Sequence, residues 1–302
     1  SFIALKNKKE IQIMEKVRIV EVAPRDGLQS IPLNIPTKKK VELINRLSST
    51  GLQEIEVTSF VSPKWVPQLS DAPEVSRLIK KNPLVRYTAL VPNKIGLNKA
   101  IESGYKSVAF ITTCSETFSQ KNTNCTISES LETIASLRSL WSKHNMHVRV
   151  YISTVWYCPF EGKMNTDPLI NVVQKLIDLN IDEISLADTI GKAKKGDVEE
   201  ILEIILKYWD PSKFALHFHD TYKNAKQNII SGINLGFRSF DSSVGGIGGC
   251  PYAPGSSGNV ATESVLEICE NNGFDTGINK QSLSDTGKYI SDILHKGEKT
   301  NG

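Results

Sequence analysis

Apolar positions along the chain recur with two periods, one suited to strands and one to helices. Residues 17–22, Val-Arg-Ile-Val-Glu-Val, are rich in β-branched side chains and run up to Pro24, a strand signature. Pro36 then stands where a helix can begin, and Val41, Ile44, Leu47 and Leu52 follow helical spacing with Gly51 as a stop. The same alternation predicts strands at 54–58, 85–91, 107–112, 147–154, 183–187, 214–219 and 239–243. Helical periodicity fills 94–103, 128–144, 168–179, 198–208, 224–235 and 261–271 between them. Gly104, Gly236 and Gly273 repeat the stop at Gly51.

Strands that alternate with helices pair in parallel. Eight units in about 250 residues fit a closed (β/α)8 TIM barrel better than an open doubly wound sheet. The dinucleotide fingerprint GxGxxG is missing after the first strand, which weighs against the open sheet. The expected organisation is a catalytic barrel over 17–273 and a C-terminal helical extension over 274–302. Within that extension, 281–294 is predicted to be an extra helix packed on the barrel.

Composition changes this picture in three places. At about 150 residues per domain, 302 residues would give two domains; the repeat reading replaces them with one barrel. No apolar run reaches the ~18–20 residues of a membrane helix, so no membrane partner is expected. The balance of 36 Lys+Arg against 33 Asp+Glu leaves +3, too little for a nucleic-acid partner. Five cysteines, an odd number with no CxxC pair, argue against a disulfide scaffold or a zinc ribbon and suit a reducing compartment. The expected location is therefore cytoplasmic. Because the chain opens on Ser rather than Met, a removed organelle-targeting peptide stays open.

Barrel enzymes carry their chemistry at the C-terminal ends of the strands. Five distant segments place polar residues there: Arg25-Asp26, Glu56 with Thr58-Ser59, Asp188-Thr189, His217-x-His219-Asp220, and the Gly-rich stretch 245–258. Residues i and i+2 of a strand share a face, so His217 and His219 can both aim into the mouth. With a carboxylate such as Asp26 they would form a divalent metal site. An isolated HxH reads equally well as two hydrogen-bonded core histidines; the converging Asp26 favours the metal. Cys250 sits within the Gly-rich loop, whose length points to function and whose opening and closing would gate the thiol. Read blandly, the loop is a flexible connection that happens to hold one cysteine. Arg25-Asp26 could be a surface ion pair in a turn, Asn259 an N-cap of the last barrel helix, and Lys38-Lys39-Lys40 a solvated helix face.

These residues resemble the hydroxymethylglutaryl-CoA lyases, within a wider family of metal-dependent barrels that make or break carbon–carbon bonds by Claisen or aldol chemistry. The resemblance rests on the run from Glu21 to Gln29, on Thr-Ser-Phe-Val-Ser-Pro-Lys-Trp at 58–65, and on Asp188-Thr189-Ile190-Gly191. His217-Phe218-His219-Asp220 and the loop Gly248-Gly249-Cys250-Pro251-Tyr252-Ala253 complete it. Arg-Asp and HxHD would also fit synthases that condense acyl-CoA with a 2-oxo acid; the cysteine loop and the tryptophan run are more specific to the lyases.

The resemblance implies retro-Claisen cleavage of (S)-3-hydroxy-3-methylglutaryl-CoA to acetyl-CoA and acetoacetate, as in leucine degradation and ketone-body formation. A lyase for a related hydroxyacyl-CoA is the nearest variant. It implies Asp26, His217, His219 and Asn259 as ligands of Mg or Mn, Arg25 on the enolate, and Cys250 in proton transfer. Glu56, Gln29, Ser59, Asp188 and Glu263 match polar positions that orient these groups or the substrate. Asp26 and His217 are both candidates for the base. A homodimer is implied too.

Overall fold

The computed structural model describes residues 14–250 and 253–300; the side chains of 250, 253–257 and 296–300 lie outside that description. Every predicted strand is present with its ends within one residue: β1 Arg18–Glu21, β2 Glu54–Ser59, β3 Arg86–Leu90, β4 Ser107–Thr113 and β5 His147–Ser153. After a hairpin of β6 Tyr157–Cys158 and β7 Gly162–Lys163 come β8 Glu183–Asp188, β9 Phe214–Phe218 and β10 Ser239–Ser242. The eight long strands close a barrel in the order β1-β10-β9-β8-β5-β4-β3-β2, each pair parallel. A second hairpin, β11 Gly249–Cys250 with β12 Ala253–Ser257, lies in the Gly-rich loop.

Helices surround the barrel. The first three, α1 Thr37–Leu47, α2 Ala72–Leu78 and α3 Lys94–Glu102, follow β1, β2 and β3. The β4–β5 crossover contains α4 Glu116–Thr123, α5 Ile127–Ser136 and α6 Arg138–Lys143. Then come α7 Thr166–Asp178, α8 Lys195–Leu206, α9 Ala225–Asn234, α10 Thr262–Asn271 and α11 Lys280–Thr300. The predicted helix over 128–144 is two helices. The chain turns tightly at Leu137, and the second piece delivers Trp141 onto Phe110, ring centroids 5.6 Å apart. Helix α4 escaped the periodicity because Phe118 is its one large buried side chain; a cap from Ser115 and a left-handed Asn124 delimit it.

Two layers of side chains build the molecule. Between strands and helices the packing is apolar, with Leu43, Ile44, Leu47, Val148, Val150 and Phe240 almost fully buried. Inside the barrel it is largely polar. Arg149, wholly buried on β5, donates to Glu183 on β8, to Asp241 on β10 and to the Tyr151 hydroxyl. Arg18 reaches Glu54 and Glu183, and Arg86 reaches Glu54. In this lower layer three guanidiniums face three carboxylates, so its charge is balanced. A small apolar patch of Leu90, Ala109 and Tyr151 adjoins it.

Lys40 departs from the expected solvated face. It is buried, and its ammonium donates to Asp71 at 2.8 Å and to the Gln68 carbonyl. Gln68 in turn accepts from the Ile35 amide and donates to the carbonyls of Ile31 and Leu33, tying the β1–α1 loop to the β2–α2 loop. The long helix α11 packs on α1 and on the turn after β10, with Leu283 and Ile290 buried and Arg46 over the Tyr289 ring at 4.4 Å.

Gly51 ends the first helical unit at φ +95°, and a Cβ there would run into the Gly277 carbonyl oxygen of the segment leading to α11. A side chain would have to meet both the left-handed strain and that backbone clash. Gly51→Ala is expected to cost about 2 kcal/mol or more and to lower Tm by about 4 °C or more. Thermal denaturation followed by circular dichroism checks this; an unchanged Tm would contradict the packing at Gly277.

Candidate metal centre and active site

The segment after β1 does not simply turn. The amides of Arg25, Asp26 and Gly27 all converge on the Val22 carbonyl, making one wide helical turn over Ala23–Gly27. Glu21 holds that turn from below. Its carboxylate accepts from the Ala23 amide at 2.9 Å, the Val244 amide at 3.0 Å and the Thr262 hydroxyl at 2.7 Å. It therefore links the Arg25-Asp26 turn to the loop after β10. Arg25 is 3% exposed, which removes the surface ion-pair reading. It donates from Nη1 to Asp26 at 2.6 Å and from Nε to Glu56, whose other oxygen accepts from Tyr151 at 2.8 Å. Burial opposes the charge on Arg25, but Glu56 and Asp26 outweigh it and hold its pKa above the ordinary value.

His217 and His219, on and just beyond β9, present their rings 5.3 Å apart at the mouth. His217 Nδ1 faces Asp241 Oδ2 at 3.1 Å, and its Nε2 lies 4.0 Å from Asp26. Such a carboxylate partner fixes the tautomer and leaves Nε2 as a free lone pair. His219 Nδ1 is buried with no hydrogen-bond partner. Burial, together with His217, pushes the His219 pKa down to about 4, so the ring is neutral near pH 7. Burial also works against ionisation of Asp26, but Arg25 above all, with a hydrogen bond from Asn259, holds its carboxyl well below the ordinary range.

Ligand atoms from Asp26, His217 and His219 all lie within 4.8 Å of one another. This donor set fits a divalent cation on two counts. The orphaned His219 nitrogen lacks the partner that a buried polar atom normally has. In contrast to the balanced layer below, Arg25 here faces two carboxylates, Asp26 and Glu56, leaving one negative charge to neutralise.

The fourth expected ligand arrives from the Gly-rich loop. Its last residues cross the mouth: Val260 donates its amide to Phe218, Asp220 donates to Gly258, and Gly258 donates to Gly248. Asn259 is thereby placed beside the cluster, its Nδ2 donating to Asp26 Oδ2 at 2.7 Å. An amide ligates through oxygen, and in this arrangement the Asn259 amide instead spends its nitrogen on Asp26. A side chain at Gly248, φ +121°, would strike the Asn259 amide, so the glycine keeps the space open. The N-cap of α10 is Ala261, which removes the capping reading of Asn259.

The remaining expected residues divide. Ser59, at the end of β2, is buried with its hydroxyl unpartnered. Asp188, ending β8, accepts from the amides of Lys192 and Ala193 and so orders its own loop; burial pushes its pKa up to about 7. Glu263 accepts the Gly245 amide and packs against Gly287, beneath the loop rather than at the metal cluster. Gln29 is exposed in the turn that follows Gly27. The Cys250 side chain lies outside the described residues, although its backbone pairs with Ala253 in the loop hairpin. Cys114, Cys125, Cys158 and Cys269 are free thiols. Glu21, Arg149, Tyr151 and Asp241 were not anticipated. Their signal was available: each is a charged or hydroxylated residue that directly follows an apolar one within a strand.

The comparisons with known proteins agree with this geometry. The HMGL-like family profile matches residues 16–290. The chain is 43% identical over 282 residues to the hydroxymethylglutaryl-CoA lyase YngG of Bacillus subtilis, covering 93% of this chain and 94% of that one. A crystal structure of the Bacillus subtilis HMG-CoA lyase superposes with a TM-score of 0.92 at 43% identity, over 93% of this chain and 94% of its own. An HMG-CoA lyase from Acinetobacter baumannii in complex with coenzyme A and 3-methylmalate superposes with a TM-score of 0.88 at 35% identity, over 93% and 92% of the two chains.

Burial pushes the Glu21 carboxyl up to about 7 from an ordinary 4.5, against the three donors that favour its charge. Between those values the folded chain keeps a proton that the unfolded chain has released, so stability falls as pH rises. Glu21→Gln cannot ionise. Its Tm is expected to gain on that of wild type between about pH 4.5 and pH 7.5, by at most about 3 kcal/mol in stability. Parallel Tm curves for the two proteins across that range would contradict this.

Proposed function

The chain belongs to the HMGL-like family, and from that premise we propose that it cleaves 3-hydroxy-3-methylglutaryl-CoA to acetyl-CoA and acetoacetate. The observation that carries this reading is the cluster of Asp26, His217 and His219 with the buried, ion-paired Arg25 beside it. Asp26, His217, His219 and Asn259 would hold Mg or Mn, a hard cation suited to oxygen and imidazole donors. When bound, the cation lowers the pKa of a coordinated hydroxyl and thereby eases its deprotonation.

The rest of the chemistry belongs to the chain's own residues. Breaking the C2–C3 bond turns the departing acetyl group into a thioester enolate. Arg25, clamped by Glu56 and Asp26, presents a fixed cation to the enolate oxygen without having to reorganise. Either Asp26 or His217 takes the C3 hydroxyl proton. Cys250, on the loop that pairs back across the mouth, returns a proton to the enolate carbon. Ser59 offers an unspent hydroxyl to the substrate. Asp188 orders its own loop, Glu263 anchors the base of the Gly-rich loop, and Gln29 stands at the rim. No helix among the described residues is long and apolar enough to cross a membrane. We read the protein as a cytoplasmic homodimer with one catalytic barrel over 17–273 per chain and a helical extension over 274–302.

Acetoacetate release from hydroxymethylglutaryl-CoA, measured with added Mg or Mn and again with EDTA, tests the reading. Activity is expected with metal and none with chelator. Silence with metal present would sink the proposal, and consumption of acyl-CoA with a 2-oxo acid would reassign the chain to the condensing synthases. Arg25→Ala and Cys250→Ala are each expected to lower kcat about 100- to 1000-fold while metal binding survives.

A further inference from the structure

Arg149 lies one layer beneath the mouth and touches none of the reacting groups, yet both halves of the site trace back to it. Its guanidinium, 0% exposed, donates from Nε to Glu183 at 2.6 Å, from Nη1 to the Tyr151 hydroxyl at 3.0 Å and from Nη2 to Asp241. Guanidinium can only donate. The Tyr151 oxygen must therefore accept from Arg149, which commits its single proton to Glu56 at 2.8 Å, and Glu56 in turn grips Arg25. Asp241 holds one oxygen on Arg149 and turns the other toward the Ser185 hydroxyl and His217 Nδ1. As an ionised acceptor it requires the proton of His217 on Nδ1, which frees Nε2 toward Asp26. The polarity of both chains thus has one origin.

We propose that Arg149 is a positioning residue for both arms of the site, setting the metal-facing nitrogen of His217 through Asp241 and the guanidinium of Arg25 through Tyr151 and Glu56. Lysine would keep the charge but not the three-way fork. The inference rests on the proposed reaction for the Arg25 arm only, because the His217 arm is read out by metal binding without turnover.

The test measures Mn2+ affinity without substrate, by titration followed with electron paramagnetic resonance, and kcat and KM at saturating Mn2+. Asp241→Asn severs the His217 arm and is expected to weaken Mn2+ binding about 10- to 100-fold, with kcat largely restored at saturating metal. Tyr151→Phe severs the Arg25 arm and is expected to leave Mn2+ affinity within twofold while kcat falls about 10- to 100-fold and KM changes little. Arg149→Lys, checked for folding by circular dichroism, is expected to show both losses. A folded Arg149→Lys with wild-type affinity and kcat would overturn the proposal. If Arg149→Lys does not fold, the other two variants decide: the same pattern of losses in both would overturn it. Wild-type enzyme that binds Mn2+ but releases no acetoacetate would instead remove the proposed reaction and leave the His217 arm to be judged on affinity alone.

Discussion

The mouth of this barrel depends on charge buried in its middle. Taking a guanidinium out of water is costly, and only close, well-oriented anions offset that cost. Arg149 meets the condition with Glu183 and Asp241, while Arg18 bridges Glu54 and Glu183 and the more exposed Arg86 reaches Glu54 in the same layer. Removing one member of such a layer strands an uncompensated charge, typically at about 3–5 kcal/mol. The layer therefore resists rearrangement. What stands on it inherits fixed positions, as a site that must stabilise developing charge requires.

Above that layer the balance tips. Arg25 is outnumbered by Asp26 and Glu56, and the His219 ring, whose charge burial disfavours, adds a nitrogen rather than a charge. A bound cation would restore neutrality at the mouth. The rigid layer below and the charge deficit above are two parts of one design. The lower layer fixes the positions of Asp26, His217 and Arg25, and the upper layer holds the unbalanced negative charge.

The loops are tied to the site by backbone more than by side-chain contact. Glu21 joins the Arg25-Asp26 turn to the segment after β10, and Glu263 holds the base of the same segment at Gly245. The returning strand from Gly258 to Val260 crosses the mouth between β9 and β10 and brings Asn259 with it. A Gly-rich stretch that is long in sequence is thus pinned at both of its ends. Glu21 and Glu263 are both buried or half-buried carboxyls whose ionisation burial disfavours, the expected cost of using acids as backbone anchors.

By itself the sequence determined the barrel, because period-2 and period-3.6 patterns are local and eight repeats of them leave few ways to bury both. It also placed Arg25, Asp26, His217 and His219 together, since in this fold the ends of the strands share one mouth. It did not reveal that Lys40 is buried, that 128–144 bends at Leu137, or that Arg149, Tyr151, Glu56 and Asp241 form one network. Those facts depend on which inward-facing residues of different strands fall at the same height. That height is set by the stagger of strands around a closed barrel, a relation between segments distant in the chain, 95 residues apart for Tyr151 and Glu56 and 221 for Arg18 and Ser239. Local pattern can say that a side chain points inward; only the closed tertiary structure decides what it meets there.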